Sequence, residues 1–421
     1  MKESHTTDIL ILGAGIGGYE TFRTLSKRLK RSGLEKHITI VDQNNYFTFV
    51  PMLHEVATGS IEPTHCAIPL RELTYNTPHT FLKASVEHID PKKKQVQTDK
   101  GILSFNDYCV IALGSTTHYF NTPGAKEYSY NVRTLEAAMR LKHDFLSMLD
   151  IYKDETLTIT IVGGGYTGVE VAGQYADLAN KDIAKLYPEK KIHIRIIQSG
   201  DVILPYMPKN VQERVHTRLT EQGVEIVTKE KVTGVTKGSV RLQSRGSQKS
   251  DITIWTAGFE NVAPHFLHTG YNTQGRIDVT GELTMIDHPD TYAAGDIANI
   301  VNPSTRIAYP QLAEAAHLEG EYIAHHIVKR IQGKTRQKHF VFQSKGQLMP
   351  VGDWWGVAQI GPFTLFGKLA WWIRRTVYVL FMPGILRKLR IVFDWTIHSF
   401  GFRDFIHVEQ QNNQHIPTDT T

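Results

Sequence analysis

Two short glycine runs carry the clearest chemistry in this sequence. Gly13, Gly15 and Gly18 stand in Gly-x-Gly-x-x-Gly spacing directly after the aliphatic run Ile9 to Leu12, and Gly163, Gly165 and Gly168 repeat the pattern about 150 residues later. In such a turn the first glycine permits the tight bend, the second lets the backbone approach a pyrophosphate, and the third lets helix close on strand. The phosphates then rest on the helix N-terminus. After the first turn, Ile38-Thr-Ile-Val-Asp42 ends in a carboxylate 24 residues past Gly18, where ribose hydroxyls need an acceptor. After the second turn the matching strand, Ile192 to Ile197, ends at Gln198 instead. An amide repels a 2′-phosphate less than a carboxylate does, so either NADPH competes with NADH here or Gln198 simply hydrogen-bonds the same ribose.

Each turn needs a strand before it and a helix after it. Tyr19, Phe22 and Leu25 to Leu29 form an apolar stripe at helical spacing behind the first turn, as do Val169, Ala172, Tyr175 and Ala176 behind the second. Further strands are expected at Tyr108 to Leu113, Ile192 to Ile197, Val224 to Val227 and Ile252 to Thr256, and helices at Leu135 to Leu149 and Pro208 to Gln222. Pro123-Gly124 reads as a crossover turn and the polar stretch Ser244 to Ser250 as a surface turn. The fold class is therefore α/β, with two Rossmann-like dinucleotide-binding domains. Residues 1–120 and 266–338 form one, discontinuous in sequence; residues 121–265 form the other; 339–421 form a C-terminal helical region at a membrane surface or dimer interface. The last dozen residues are polar and expected to fray.

Composition narrows the class. A chain of 421 residues with 41% hydrophobic residues and a net charge of +5 has material for two or three cored domains and no strong basic character, so nucleic acid is not an expected partner. Its two cysteines, Cys66 and Cys109, form no C-x-x-C motif, and the scattered histidines give no metal signature. No apolar stretch reaches the roughly 18–20 residues that span a bilayer, and the polar start precedes a run too short for a signal peptide. A cytosolic or membrane-surface protein is the expectation.

Ala112-Leu-Gly114, Thr256-Ala-Gly258 and Thr291-Tyr-Ala-Ala-Gly-Asp-Ile-Ala298, taken with the two glycine turns, resemble the two-dinucleotide-binding-domain flavoproteins. That resemblance implies FAD in the first fold and NAD(P)H in the second, with Asp296 bonding the ribitol chain. Asn45-Tyr46-Phe47, Pro51-Met-Leu-His-Glu-Val-Ala-Thr-Gly59, the run Gly163 to Glu170 and Trp255 to Gly258 are most similar to the type II NADH dehydrogenases, over nearly the whole chain. The resemblance implies FAD-dependent oxidation of NADH with two-electron reduction of a membrane quinone and no proton pumping. It further implies a respiratory, peripheral homodimer on the cytoplasmic side of the cell inner membrane.

The resemblance makes Glu170 a functional carboxylate near the nicotinamide. Where the family carries an Ala-Gln pair facing flavin and quinone, this chain has Ala313 and Glu314. A carboxylate donates a hydrogen bond only when protonated, so Glu314 is protonated through burial, or Gln311 takes over, or the acceptor differs. Tyr309, Gln311, Glu314 and Lys345 are the quinone-side candidates. Glu55 reads as a helix-start residue, and His54, His317 and Lys368 as ordinary surface or core groups. Three rivals remain: a redox-sensing scaffold resembling apoptosis-inducing factor, a soluble-acceptor NAD(P)H reductase, and a sulfide:quinone oxidoreductase, for which the cysteines are too few.

In the C-terminal region Leu386, Leu389, Phe393, Ile397 and Phe400 recur at helical steps, with tryptophans and with arginines at 374, 375, 387 and 390. Such a helix suits a bilayer interface, with the arginines set to meet anionic lipid.

Overall fold

The glycine-turn strands are central to the parallel parts of two separate sheets. The computed structural model describes residues 4–151, 155–334, 338–382, 384–398 and 403–406. In the first sheet Ser4–Leu12 runs parallel to Ile38–Asp42 on one side and Gly101–Ile111 on the other. Thr80–Lys83 and His288–Ala293 extend the order beyond these two, again in parallel. His288–Ala293 thus returns to the first sheet after the whole second sheet has been laid down. Ile9 to Leu12 are fully buried, as a parallel strand covered on both faces requires. The helix Ile16–Arg31 buries Tyr19, Phe22, Leu25 and Leu29 and packs on Ala313–Ile331. Gly320 allows that approach, because a Cβ there would meet the carbonyl oxygen of Gly17.

The second sheet has the order Val224–Val227, Lys191–Ile197, Thr156–Val162, Ile252–Trp255, all parallel. The helix Tyr166–Leu178 buries Val169, Ala172, Tyr175 and Ala176 against it. Lys209–Glu221 begins directly after Pro208 and buries Val211, Val215 and Leu219. The stretch expected as a surface turn is different: Gly246–Lys249 is a strand, paired antiparallel with Ser239–Leu242, which in turn pairs with Val232–Thr236. Its side chains are polar and mostly solvent-facing, so main-chain pairing holds it with no hydrophobic alternation to read.

Between the sheets, Ser115–Thr117 pairs antiparallel with Phe259–Asn261 where the chain crosses out and back. The C-terminal region is not helical throughout. It opens with an antiparallel sheet of Gln347–Pro350, Gly356–Ile360 and Phe363–Phe366, turned at Gly361-Pro362, before the helices Lys368–Phe381 and Ile385–His398. Among the described residues no helix is long and apolar enough to cross a membrane. Phe400 and the polar tail lie outside the described residues.

Candidate active site

The two glycine turns share one backbone design. Gly13 and Gly163 both adopt positive φ, +90° and +107°, and their N–H groups donate at 2.8 Å to Val41 and Ile197, the matching carbonyls of the next strand. A Cβ on Gly18 or Gly168 would run into the carbonyl oxygen of Gly13 or Gly163, so the third glycine is a packing requirement. By contrast, nothing lies within 4 Å of a Cβ placed on Gly15 or Gly165. That open ground at the start of each helix fits a pyrophosphate. The strand-end side chains are equivalent too. Asp42 accepts from the N–H of Ala14 at 2.7 Å and of Asn44 at 2.8 Å, and Gln198 accepts through Oε1 from the N–H of Gly164 at 2.9 Å. Burial raises the Asp42 carboxyl above its ordinary value, opposed by those two hydrogen bonds.

The motif expected to meet the ribitol lies beside the first turn. Asp296 accepts from the Ser115 hydroxyl at 2.5 Å, with Arg133 at 3.5 Å. Gly295 takes φ +75° and donates its N–H to Glu319 at 2.7 Å. Burial pushes Glu319 up to about 7. The sequence reading missed Glu319, although it falls on the same helical face as Ala315, Ala316, Gly320 and Ile323, where a carboxylate is out of place. Gly114 and Gly258 both have positive φ, and the Phe120 ring lies against Gly258 where a side chain would sit.

Of the quinone-side candidates, Gln311 lies against Asp296: its amide donates at 2.7 Å to the Asp296 carbonyl and to Asn261. Tyr309 is buried between Phe340 and Phe342, its hydroxyl without a hydrogen-bond partner. Ala313 starts the helix, and Glu314 follows half-exposed, accepting at 2.9 Å from the Ser344 hydroxyl and from the Lys345 N–H. Glu314 is not enclosed in the core; it meets solvent and two donors.

A second group of charges forms around Glu170. The short helix Leu53–Val56, the helix after the second glycine turn and the first C-terminal helix meet there. His54 Nδ1 lies 3.7 Å from Glu170 Oε2. Arg374 donates to Glu55 Oε1 at 2.6 Å and places Nη2 3.2 Å from His54 Nε2. Arg375 approaches Glu55 Oε2 at 3.8 Å and lies over the rings of Trp371 and Trp395. Burial pushes Glu170 up to about 8, with Arg374 opposing. Burial would also raise Glu55, but the two arginines outweigh it and hold the carboxyl below its ordinary value. Glu55, read from sequence as a helix-start residue, is thus one of the most deeply buried charges, at 1% exposure. Arg374 and Arg375 were expected to face lipid and instead point inward, because the unpaired Glu55 carboxylate would otherwise be stranded in the core.

Residues 7–320 match the pyridine nucleotide-disulphide oxidoreductase family. The chain belongs to that family. It is 31% identical over 402 residues to the demethylphylloquinone reductase NdbB of Synechocystis, covering 93% of this chain and 96% of the relative. It is 26% identical to the type II NADH:quinone oxidoreductase Ndh of Mycobacterium tuberculosis, covering 94% and 88%. Its fold matches NDH2 from Plasmodium falciparum, solved in complex with NADH, at a TM-score of 0.84 and 21% identity over 96% of this chain and all of that one. The resemblance to type II NADH dehydrogenases is borne out by these relatives. This pyridine nucleotide-disulphide oxidoreductase lacks the dithiol of the family name: its only cysteines, Cys66 and Cys109, are both free and buried, and burial raises both thiols. The sulfide alternative loses its support with them.

Proposed function

We propose that this chain oxidises NADH and reduces a membrane quinone, with FAD held by residues 1–120 and 266–338 and the nicotinamide nucleotide by residues 121–265. The observation that carries the reading is the pair of like-built glycine turns, one per sheet, each open at its second glycine. Bound there, FAD would supply a hydride acceptor for the nicotinamide and a two-electron donor for the quinone. Gly13, Gly15, Gly18, Asp42 and Asp296 hold FAD, with Gly114 and Ala313 at its edges; Gly163, Gly165, Gly168, Gln198 and Gly258 hold the nucleotide. Glu170, neutral at pH 7, stores a proton at its carboxyl beside the reacting groups. Glu314 orders the loop at residues 344–346, and the Lys345 ammonium supplies the donor to a quinone carbonyl that a carboxylate withholds.

The apolar face of the C-terminal helices suits the bilayer surface. Leu386, Leu389 and Phe393 are 78%, 59% and 65% exposed, and Trp372 and Leu380 join them. Quinone, confined to lipid, enters beside this face. The enzyme docks peripherally on the cytoplasmic side of the cell inner membrane, as a homodimer that shares the same region.

Anaerobic stopped-flow mixing tests the cycle. Flavin absorbance is expected to bleach with NADH and recover on mixing with a short-chain menaquinone or ubiquinone analogue. Bleaching without recovery would favour the scaffold resembling apoptosis-inducing factor. Nucleotide choice has its own test at Gln198, whose Oε1 is engaged by Gly164 and whose amide N–H groups are left for the ribose. Gln198→Glu is expected to lower kcat/KM for NADPH about tenfold or more against that for NADH, through charge repulsion with the 2′-phosphate. An unchanged ratio would remove Gln198 from the discrimination.

A further inference from the structure

We propose that Arg374, carried by the first C-terminal helix, is a positioning residue that sets the ring of His54 so that its Nδ1–H faces the Glu170 carboxyl. The membrane-facing helix pair is thereby joined to the proton store of the reaction. The inference rests on the reading of Glu170 given above.

A guanidinium has only N–H donors, so the imidazole nitrogen 3.2 Å from Arg374 Nη2 must be the acceptor. Burial, with Arg374, pushes His54 down to about 3, and the ring is neutral at any working pH. A neutral imidazole whose Nε2 accepts carries its hydrogen on Nδ1. The nitrogen that carries it lies 3.7 Å from Glu170 Oε2. Arg374 is itself held at further points, by Glu55 Oε1 at 2.6 Å and by the Pro51 carbonyl at 3.3 Å, and its guanidinium lies 4.5 Å over the Tyr378 ring. The fork has little freedom to let the ring turn.

The groups acting on Glu170 come from three elements. His54 and Glu55 belong to Leu53–Val56, Tyr166 to its own helix, and Arg374 and Tyr378 to Lys368–Phe381. Both tyrosines are neutral, since burial raises them. Without Arg374 the His54 ring is free to donate from Nε2 to Glu55 Oε1, 3.7 Å away, and to present its Nδ1 lone pair to Glu170. A lone pair favours the protonated acid, and loss of the arginine's positive charge favours it too. Both effects raise the pH at which Glu170 ionises.

The test is the pH profile of NADH:quinone-analogue turnover in full-length, FAD-loaded enzyme. Arg374→Gln is expected to move the Glu170 midpoint alkaline by about one unit, a tenfold change in proton affinity. Arg374→Lys is expected to restore it, because an ammonium also only donates. His54→Asn keeps an N–H near the Nδ1 position and holds the midpoint, whereas His54→Leu raises it. If Arg374→Gln fails to retain FAD, the two His54 variants decide alone. A midpoint unmoved in Arg374→Gln and His54→Leu, while Glu170→Gln abolishes it, would overturn the positioning role and leave the reading of Glu170 intact. A midpoint that survives Glu170→Gln overturns both.

Discussion

Glu170→Gln is expected to lower quinone-linked turnover by about 10²–10⁴-fold, the usual worth of a positioned acid or base, while FAD content stays normal. Glutamine keeps the size of the side chain and removes its exchangeable acid proton. In the native protein only 14% of this side chain is exposed, and burial lifts its carboxyl to about 8 from an ordinary 4.5. The acid form therefore dominates at pH 7, and activity should decline as pH rises through about 8. The same shift has a stability consequence of definite sign. A carboxyl whose folded value lies above its unfolded value costs nothing below the unfolded value and destabilises progressively as pH rises through the folded one. Glu170→Gln should thus melt at the same temperature as wild type near pH 4 and higher than wild type above pH 8. Unchanged turnover, or a melting difference equal at both pH values, would remove the buried acid from the mechanism.

Glu55→Ala is expected to cost about 3–5 kcal/mol of stability, the penalty for breaking a buried ion pair by removing one partner. Arg374 and Arg375 would then sit at 1% and 7% exposure without the carboxylate that pairs with both. Because Glu55 lies on Leu53–Val56 and the arginines on Lys368–Phe381, the loss should loosen the C-terminal helix from the body. The drop in melting temperature is on the order of 5 °C. Replacing Glu55 and Arg374 together, Glu55→Gln with Arg374→Gln, should recover part of it, since Arg375 is then the one arginine of the pair left buried without that carboxylate. Glu55 is held below its ordinary value, so its contribution is complete above about pH 4.5 and lost as pH falls through its folded value. A Glu55→Ala protein that melts within about 1 kcal/mol of wild type would show that water reaches the arginines.

The two glycine turns were legible because their chemistry is local. Gly13 to Gly18 and Gly163 to Gly168 each sit between a strand and a helix a few residues away, and backbone sterics alone prescribe where glycine must stand. Asp42 and Gln198 followed from the same geometry, one strand further on. The cluster around Glu170 was not legible in this way. Glu55 and Arg374 are 319 positions apart, and no periodicity relates them. Helical spacing in Lys368–Phe381 separates an apolar stripe from its basic neighbours, yet it does not say which side another element covers. The arginines were therefore read as lipid-facing, although the unmet charge of Glu55 draws them inward. The Glu314 carboxylate turned on a distant partner too, the loop at Ser344 and Lys345. Local steric rules belong to the chain and can be read along it. Charge compensation belongs to the folded interior, where desolvation decides which groups must meet.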